Sequence, residues 1–303
     1  MGNIAVESEP KPVLHSRGAA RPAWLELARG KGWFVSDVTC CAGPRDRAFE
    51  EQHAHMSIAI VTEGTFQYRS SEGRELMSPG SLLLGNAGQY FECGHEHGTG
   101  DHCVSFSYEP DYFEALAEDA GVCATRFRTL RLRPVREMSP LIARACAEAA
   151  KPFNSGHAAA NESIVALDWE AIGQELAVRA LELAAGHKVT AASEPAAEAR
   201  VTRVLRMIES RPDQDHELGS LAREAKLSRY HFLRVFRQLT GLTPHRYILR
   251  ARLRRAATRL LLEPAKVLDI ALDSGFGDIS NFNHAFHAEF GVSPRTYRRN
   301  SRQ

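Results

Sequence analysis

Two clusters of side chains in the N-terminal part of the chain have the types and spacing for metal or acid–base chemistry. His53-Ala-His55 is followed by Glu63, and Cys93-Gly-His95-Glu-His97 is followed by Asp101-His102-Cys103. Imidazole, thiolate and carboxylate groups gathered this way are the ligand types of zinc and similar ions. Paired imidazoles can equally line a pocket for a small molecule. In a strand, residues i and i+2 share a face, so His53 and His55 can both point inward. His53, His55, His95 and His97 are therefore the candidate effector-pocket residues. Cys40-Cys41 could respond to redox state, but a buried, inert thiol is the more frequent case. No nucleophile–base constellation and no phosphate-cradling loop accompanies these clusters, so no catalytic residue is assigned.

The last hundred or so residues carry a different chemistry. Phe232, Phe236, Gly241, Pro244 and Tyr247 recur 50 positions later as Phe282, Phe286, Gly291, Pro294 and Tyr297. Ser228 and Asp278, both good helix N-caps, stand at the same offset. One structural unit therefore occurs twice. In each copy the apolar residues recur at helical spacing, leaving a polar face open. In the first copy that face carries Arg229, Tyr230, Leu233, Arg234 and Arg237, with His231 at its border. Residues 200–303 hold 20 Lys+Arg against 10 Asp+Glu, a net of +10, and residues 1–199 hold 18 against 27, a net of −9. The overall charge of +1 thus hides a basic C-terminal third, the electrostatic footprint of nucleic-acid binding.

The elements that must position these groups follow from pattern. Residues 1–20 are polar and broken by Pro10 and Pro12, which reads as a loose tail without a secretory signal. From Trp33 to Tyr108 short apolar runs such as 57–61, 65–69, 81–84 and 103–107 alternate with turn residues. That pattern predicts a small antiparallel barrel or jelly roll. Helices are predicted over 111–119, 138–150 and 162–185, so that 21–186 forms one sensor and dimerisation domain. The small, Ala-rich stretch 187–199 reads as a linker.

Beyond it everything is helical. Val201, Val204, Leu205 and Ile208 open the domain with an amphipathic stripe. A short helix, a turn capped by Ser228 and a second helix make a helix-turn-helix over 217–240. Thr243-Pro244 then starts a helix of some 18 residues, ~27 Å at 1.5 Å rise. A second helix-turn-helix covers 267–290. The expected fold is α+β and multidomain: a β-barrel with flanking helices, then an all-α double helix-turn-helix domain. No apolar run reaches the ~18–20 residues that span a bilayer. Six cysteines with no disulfide-framework spacing fit reduced thiols in a cytoplasm.

The segments LSRYHFLRVFRQLTGLTPHRY, ARLRRAATRLLLEP and VLDIALDSGFGDISNFNHAFHAEFGVSPRTYR closely resemble the DNA-binding domain of AraC/XylS-family transcriptional regulators. The resemblance covers residues 200–300 and implies two helix-turn-helix motifs joined by one helix. It also implies an N-terminal domain, often cupin-like, that senses an effector or dimerises. By position, the first reading helix would use Tyr230, Leu233 and Arg234, and the second Ile279, Ser280 and His284, with Asn281 and Asn283 beside them. His284 departs from the Arg usual in the family, and imidazole lacks the bidentate reach of a guanidinium. The N-terminal histidines resemble the first cupin motif only in part. The spacing to Glu63 is too long, and Leu fills the histidine positions after Ser78-Pro-Gly80.

The reading is a sequence-specific transcription regulator in the cytoplasm, associated with the nucleoid. Its partners would be double-stranded DNA, an effector, RNA polymerase and a second copy of the chain. No cofactor is expected. The competing reading is a cupin enzyme with a metal at the N-terminal histidines and a helical appendage.

Overall fold

The computed structural model describes residues 22–300 apart from 97, 123–124, 152–159 and 186–194. The tail 1–20, His97 and residues 187–194 of the expected linker lie outside the described residues. Ten strands come first: β1 (Ala23–Gly30), β2 (Trp33–Cys40), β3 (Phe49–Gln52), β4 (Met56–Gly64), β5 (Phe66–Ser70), β6 (Gly73–Met77), β7 (Leu82–Gly85), β8 (Tyr90–Gly94), β9 (Asp101–Tyr108) and β10 (Arg131–Leu132). They pair antiparallel in two sheets, in the orders β1-β2-β9-β4-β7-β10 and β3-β8-β5-β6. The barrel thus begins ten residues earlier than the pattern from Trp33 indicates. β1 escaped that reading because its mixed face is largely exposed and lacks a clean alternation.

Three helices flank the barrel: α1 (Pro110–Asp119), α2 (Ser139–Ala149) and α3 (Ala160–Ala185). They explain why β4 is an apolar run rather than an alternation. Ile58 and Ile60 face the helices, packing with Phe113, Leu141, Trp169 and Leu176. Ala59 and Val61 face the barrel interior with Phe66, Tyr68, Met77 and Leu83. A strand covered on both faces has no polar side to show.

The helical half comprises α4 (Pro195–Ser210), α5 (Leu218–Glu224), α6 (Arg229–Thr240), α7 (Pro244–Leu262), α8 (Val267–Asp273), α9 (Ile279–Phe290) and α10 (Pro294–Asn300). Helix α4 starts at Pro195, so residues 195–199 of the expected linker are helical instead. Ala197 is fully buried with Val201, Val204, Leu205 and Ile208, and that burial holds the extra turn. Two cores form, each built on one copy of the repeat. The first gathers α4, α5, α6 and Tyr247 around Phe232 and Phe236, and Leu76 of β6 joins it from the barrel. The second gathers Leu253, Leu260, Ile270 and Phe276 around Phe282, Phe286 and Phe290, with Ala143 of α2 joining it.

The repeat is structural down to its caps. Ser228 Oγ accepts from the His231 amide at 3.3 Å and Asp278 Oδ1 from the Asn281 amide at 2.7 Å. Gly241 and Gly291 end the two helices in the left-handed region, at φ 76° and 75°, where glycine meets no Cβ penalty. The short helices, however, match at an offset of 49. The Leu227 amide bonds the Ala222 carbonyl as the Phe276 amide bonds that of Ala271. The second turn is one residue longer, and the left-handed position held by Lys226 in the first is held by Gly275 in the second. A Cβ on Gly275 would lie 2.7 Å from the Asp213 backbone, so that position admits only glycine.

Candidate nucleic-acid interface and effector cavity

Helix α6 turns Phe232, Val235, Phe236 and Leu239 inward and leaves Arg229, Tyr230, Arg234 and Arg237 exposed. Tyr230 is 80% exposed, far from the burial an aromatic ring normally seeks. Leu233 is half-buried. His231 is half-buried too, and its Nε2 is shielded without a hydrogen-bond partner. It stands at the border of the open face, with one ring nitrogen closed to solvent. On α9, Ser280, Asn281, Asn283 and His284 are exposed, whereas Ile279 packs against the second core.

The helix between the motifs, α7, has 19 residues and so spans about 28 Å. Its arginines are not a free basic stripe. Arg250 donates to the Pro134 carbonyl at 2.6 Å and pairs with Glu289 at 3.1 Å. Arg252 donates to the Pro212 and Gln214 carbonyls at 2.7 and 2.8 Å. Arg254 pairs with Glu209 at 2.7 Å, Arg255 with Asp213 at 2.5 Å, and Arg259 with Glu263 and Asp273 at 2.9 and 3.1 Å. These five cations of the basic C-terminal third are thus engaged by protein groups. The open cations of α6, and Arg246 at the start of α7, face solvent.

The barrel encloses a cavity of about 260 Å³ between its two sheets. Its apolar wall includes Phe34, Phe66, Leu83 and Phe91, and its polar groups include His53, His55, His95, Cys40 and Asp101. The three described histidines of the effector-pocket set therefore do converge there. His53 stacks on Phe91, with centroids 4.2 Å apart, and its Nε2 hydrogen-bonds the Tyr68 hydroxyl at 2.6 Å. Gly85 makes room for that ring, since a Cβ there would sit 2.3 Å from His53 Nε2. His55 meets Phe34 edge to face. His95 Nε2 bonds Asp101 Oδ2. Burial opposes charge on His95, but Asp101 and Cys40 beside it prevail and raise its pKa to about 9. Glu63 does not join the histidines. It borders a separate cavity of about 790 Å³ between barrel and helical half, with His102, Arg206 and Arg254. The partial cupin motif fails here because the strand carries Glu63 past the pocket wall.

The match to known families decides the class. Residues 42–176 match the model of the AraC-like ligand binding domain, and residues 221–300 match that of a helix-turn-helix domain. The chain is 38% identical over 97 residues to the transposon Tn10 TetD protein of Escherichia coli, covering 32% of this chain and 70% of that protein. The chain belongs to the AraC/XylS family of transcriptional regulators. It is 30% identical over 104 residues to the HTH-type transcriptional regulator MtrA of Neisseria gonorrhoeae, covering 34% of this chain and 35% of that protein. The likeness thus spans about a third of that relative's length. The crystal structure of the DNA-binding domain of AdpA in complex with a target DNA is similar at 29% identity and a TM-score of 0.33, covering 36% of this chain and 95% of that one. The family is one of regulators and not of enzymes. Among the described residues no helix is long and apolar enough to cross a membrane.

In this AraC-family chain the ligand-binding domain grips both helix-turn-helix motifs through one strap, residues 131–139. Arg133 donates to the Gln238 carbonyl at the end of α6 at 3.0 Å. Ser139 Oγ donates to Glu289 near the end of α9 at 2.5 Å. Arg206 of α4 reaches the Thr65 side chain at 3.2 Å and the Thr99 carbonyl. Gln67 and Arg74 of the barrel both bond Glu198 of α4. The sequence reading missed this strap, because the contacts join residues more than 100 positions apart.

The cavity also has a pH signature. Burial lowers the His53 pKa from 6.5 to about 4, so the folded state binds the proton less readily than the unfolded chain. Its contribution to stability is present above pH 6.5 and is lost as pH falls through about 4. That contribution is of order 3 kcal/mol. Denaturant midpoints measured between pH 7 and 4 are expected to fall, and His53→Gln is expected to remove that share of the slope. An unchanged slope in the variant would exclude His53 as its source.

Proposed function

We propose that α6 and α9 enter successive major grooves on one face of a DNA duplex, and that the barrel cavity takes a small, largely apolar effector. The duplicated capped helices on either side of α7 carry this reading. Major-groove faces on one side of B-DNA recur every ~34 Å. A rigid helix of about 28 Å with its flanking turns suits that spacing. On α6 the exposed Arg229, Tyr230, Arg234 and Arg237 are the proposed contacts, with Leu233 at the edge. On α9 they are Ser280, Asn281, Asn283 and His284. An effector that prefers one packing of the strap against α6 and α9 would shift the population competent to bind DNA.

In vitro selection of random duplex DNA with the full-length chain tests the reading. Two short boxes about one helical turn apart, with affinity falling steeply as salt rises, are expected. Doubling of the pair would indicate a dimer, for which β1 with its exposed Trp24 and Leu25 is the proposed surface. Failure to enrich any box would refute the reading.

Two substitutions sharpen it. Arg234→Ala is expected to weaken the selected site by about 1–3 kcal/mol, roughly 5- to 150-fold, with unchanged thermal stability because the residue is exposed. Unaltered operator affinity would remove α6 from the interface. His284→Arg is expected to tighten binding by up to about tenfold, since a guanidinium adds charge and bidentate reach. A loss of affinity would instead mean that the imidazole already makes a specific contact.

A further inference from the structure

At one end of the barrel, three ligand-type side chains from two strand ends and the residue after a third meet. Cys40 closes β2 and Asp101 opens β9, and the two are direct partners in the β2–β9 ladder. His95 follows the last residue of β8, in the other sheet. Cys40 and His95 are buried, and the Asp101 side chain is 8% exposed. A thiol sulfur, an imidazole nitrogen and a carboxylate oxygen here all lie within 4.8 Å of one another. Cys103 Sγ adds a further thiol 3.7 Å from Asp101 Oδ1, and Cys93 lines the same cavity wall.

Two arrangements could use these groups. In a nucleophilic relay the thiol and the carboxylate stand on opposite sides of the imidazole, two hydrogen bonds and a ring apart. Here the sulfur, nitrogen and oxygen all lie within 4.8 Å of one another, too close together for a relay and within the spread that the ligands of one cation span. We propose that Cys40, His95 and Asp101 form a site for a zinc-class divalent ion, with its fourth position open to the barrel cavity.

The donor chemistry fits. One thiolate, one imidazole and one carboxylate suit a borderline-soft ion in tetrahedral coordination. A divalent ion with one thiolate and one carboxylate is neutral overall, so the site carries no net charge into a buried place. The Ala42 amide donates to Cys40 Sγ at 3.4 Å, the kind of outer contact that steadies a ligating sulfur. The inference does not depend on what organic effector the cavity takes. It does connect the site to the helical half. The 95–101 connection supplies two of the ligands, and its Thr99 and Gly100 carbonyls accept from Arg206 of α4. An ion there would fasten the connection that α4 grips.

Cobalt(II) titration of untagged, chelator-stripped full-length protein tests the site, because cobalt reports thiolate ligation and tetrahedral geometry in its absorption spectrum. One equivalent is expected to bind with a sulfur-to-cobalt charge-transfer band and intense ligand-field bands, and zinc is expected to displace it. Cys40→Ser should abolish the charge-transfer band. His95→Gln and Asp101→Asn should each weaken binding at least tenfold. Cys41→Ser, at the exposed neighbour, should leave the spectrum unchanged. Near-ultraviolet circular dichroism checks that each variant is folded, and the isosteric Asp101→Asn stands in if Cys40→Ser is not. No saturable binding, an octahedral spectrum without charge transfer, or a band that survives Cys40→Ser would each overturn the assignment.

Discussion

Phe286→Ala is expected to destabilise the second helix-turn-helix by about 3–5 kcal/mol and to remove α9 from any complex with DNA. Phe286 is fully buried. Its ring meets Phe282, Phe290 and Tyr297 with centroids 5.4, 4.4 and 5.3 Å away. Deleting it leaves a cavity that its aromatic neighbours cannot close, because Phe282 and Phe290 are fixed along α9 and Tyr297 is fixed on α10. Phe236→Ala, its counterpart in the first copy, is expected to cost a similar amount. The two should part in function. If α6 carries most of the contacts, the Phe236 variant should lose all operator binding, while the Phe286 variant retains a weakened, shorter footprint. Denaturation monitored by circular dichroism and footprinting on the selected site make the comparison. A small loss of stability in both variants would mean that the cores relax far more than their packing implies.

Glu75→Ala is expected to cost about 3 kcal/mol or more, although Glu75 itself is partly exposed. Its value lies in Arg131, whose side chain is 2% exposed and pairs with Glu75 at 3.0 Å. Arg131 also donates to the Leu76 carbonyl, and its Nε has no partner. Removing the carboxylate would strand a buried guanidinium, and burial already pushes its pKa down. Arg131→Met should therefore cost less than Glu75→Ala, because it deletes the charge rather than orphaning it. Chemical denaturation of both variants decides the order. A reversed order would place the stabilisation in the arginine's own contacts. The effect should reach DNA binding, since Leu76 beside this pair belongs to the core of the first helix-turn-helix.

The helical half was legible because its information is local. Caps at Ser228, Thr243 and Asp278, glycines at the left-handed positions 241 and 291, and phenylalanines four apart act within one or two turns. The sequence therefore determined by itself the doubled motif and which faces of α6 and α9 are open. A barrel was also readable from alternating runs and turns between Trp33 and Tyr108. Strand β1 and the helical turn at 195–199 were not, because burial against distant elements decides them. The misread signals have the same origin. The arginines of α7 count in sequence toward the basic charge of residues 200–303, yet folding engages them with Glu209, Asp213, Glu263 and Glu289. Only the tertiary structure could bring Cys40 to His95 and Asp101, or fix the 131–139 strap against both reading helices. Those contacts cross 55 to 150 positions of chain, and ladder register and helix packing, not spacing in sequence, close such distances.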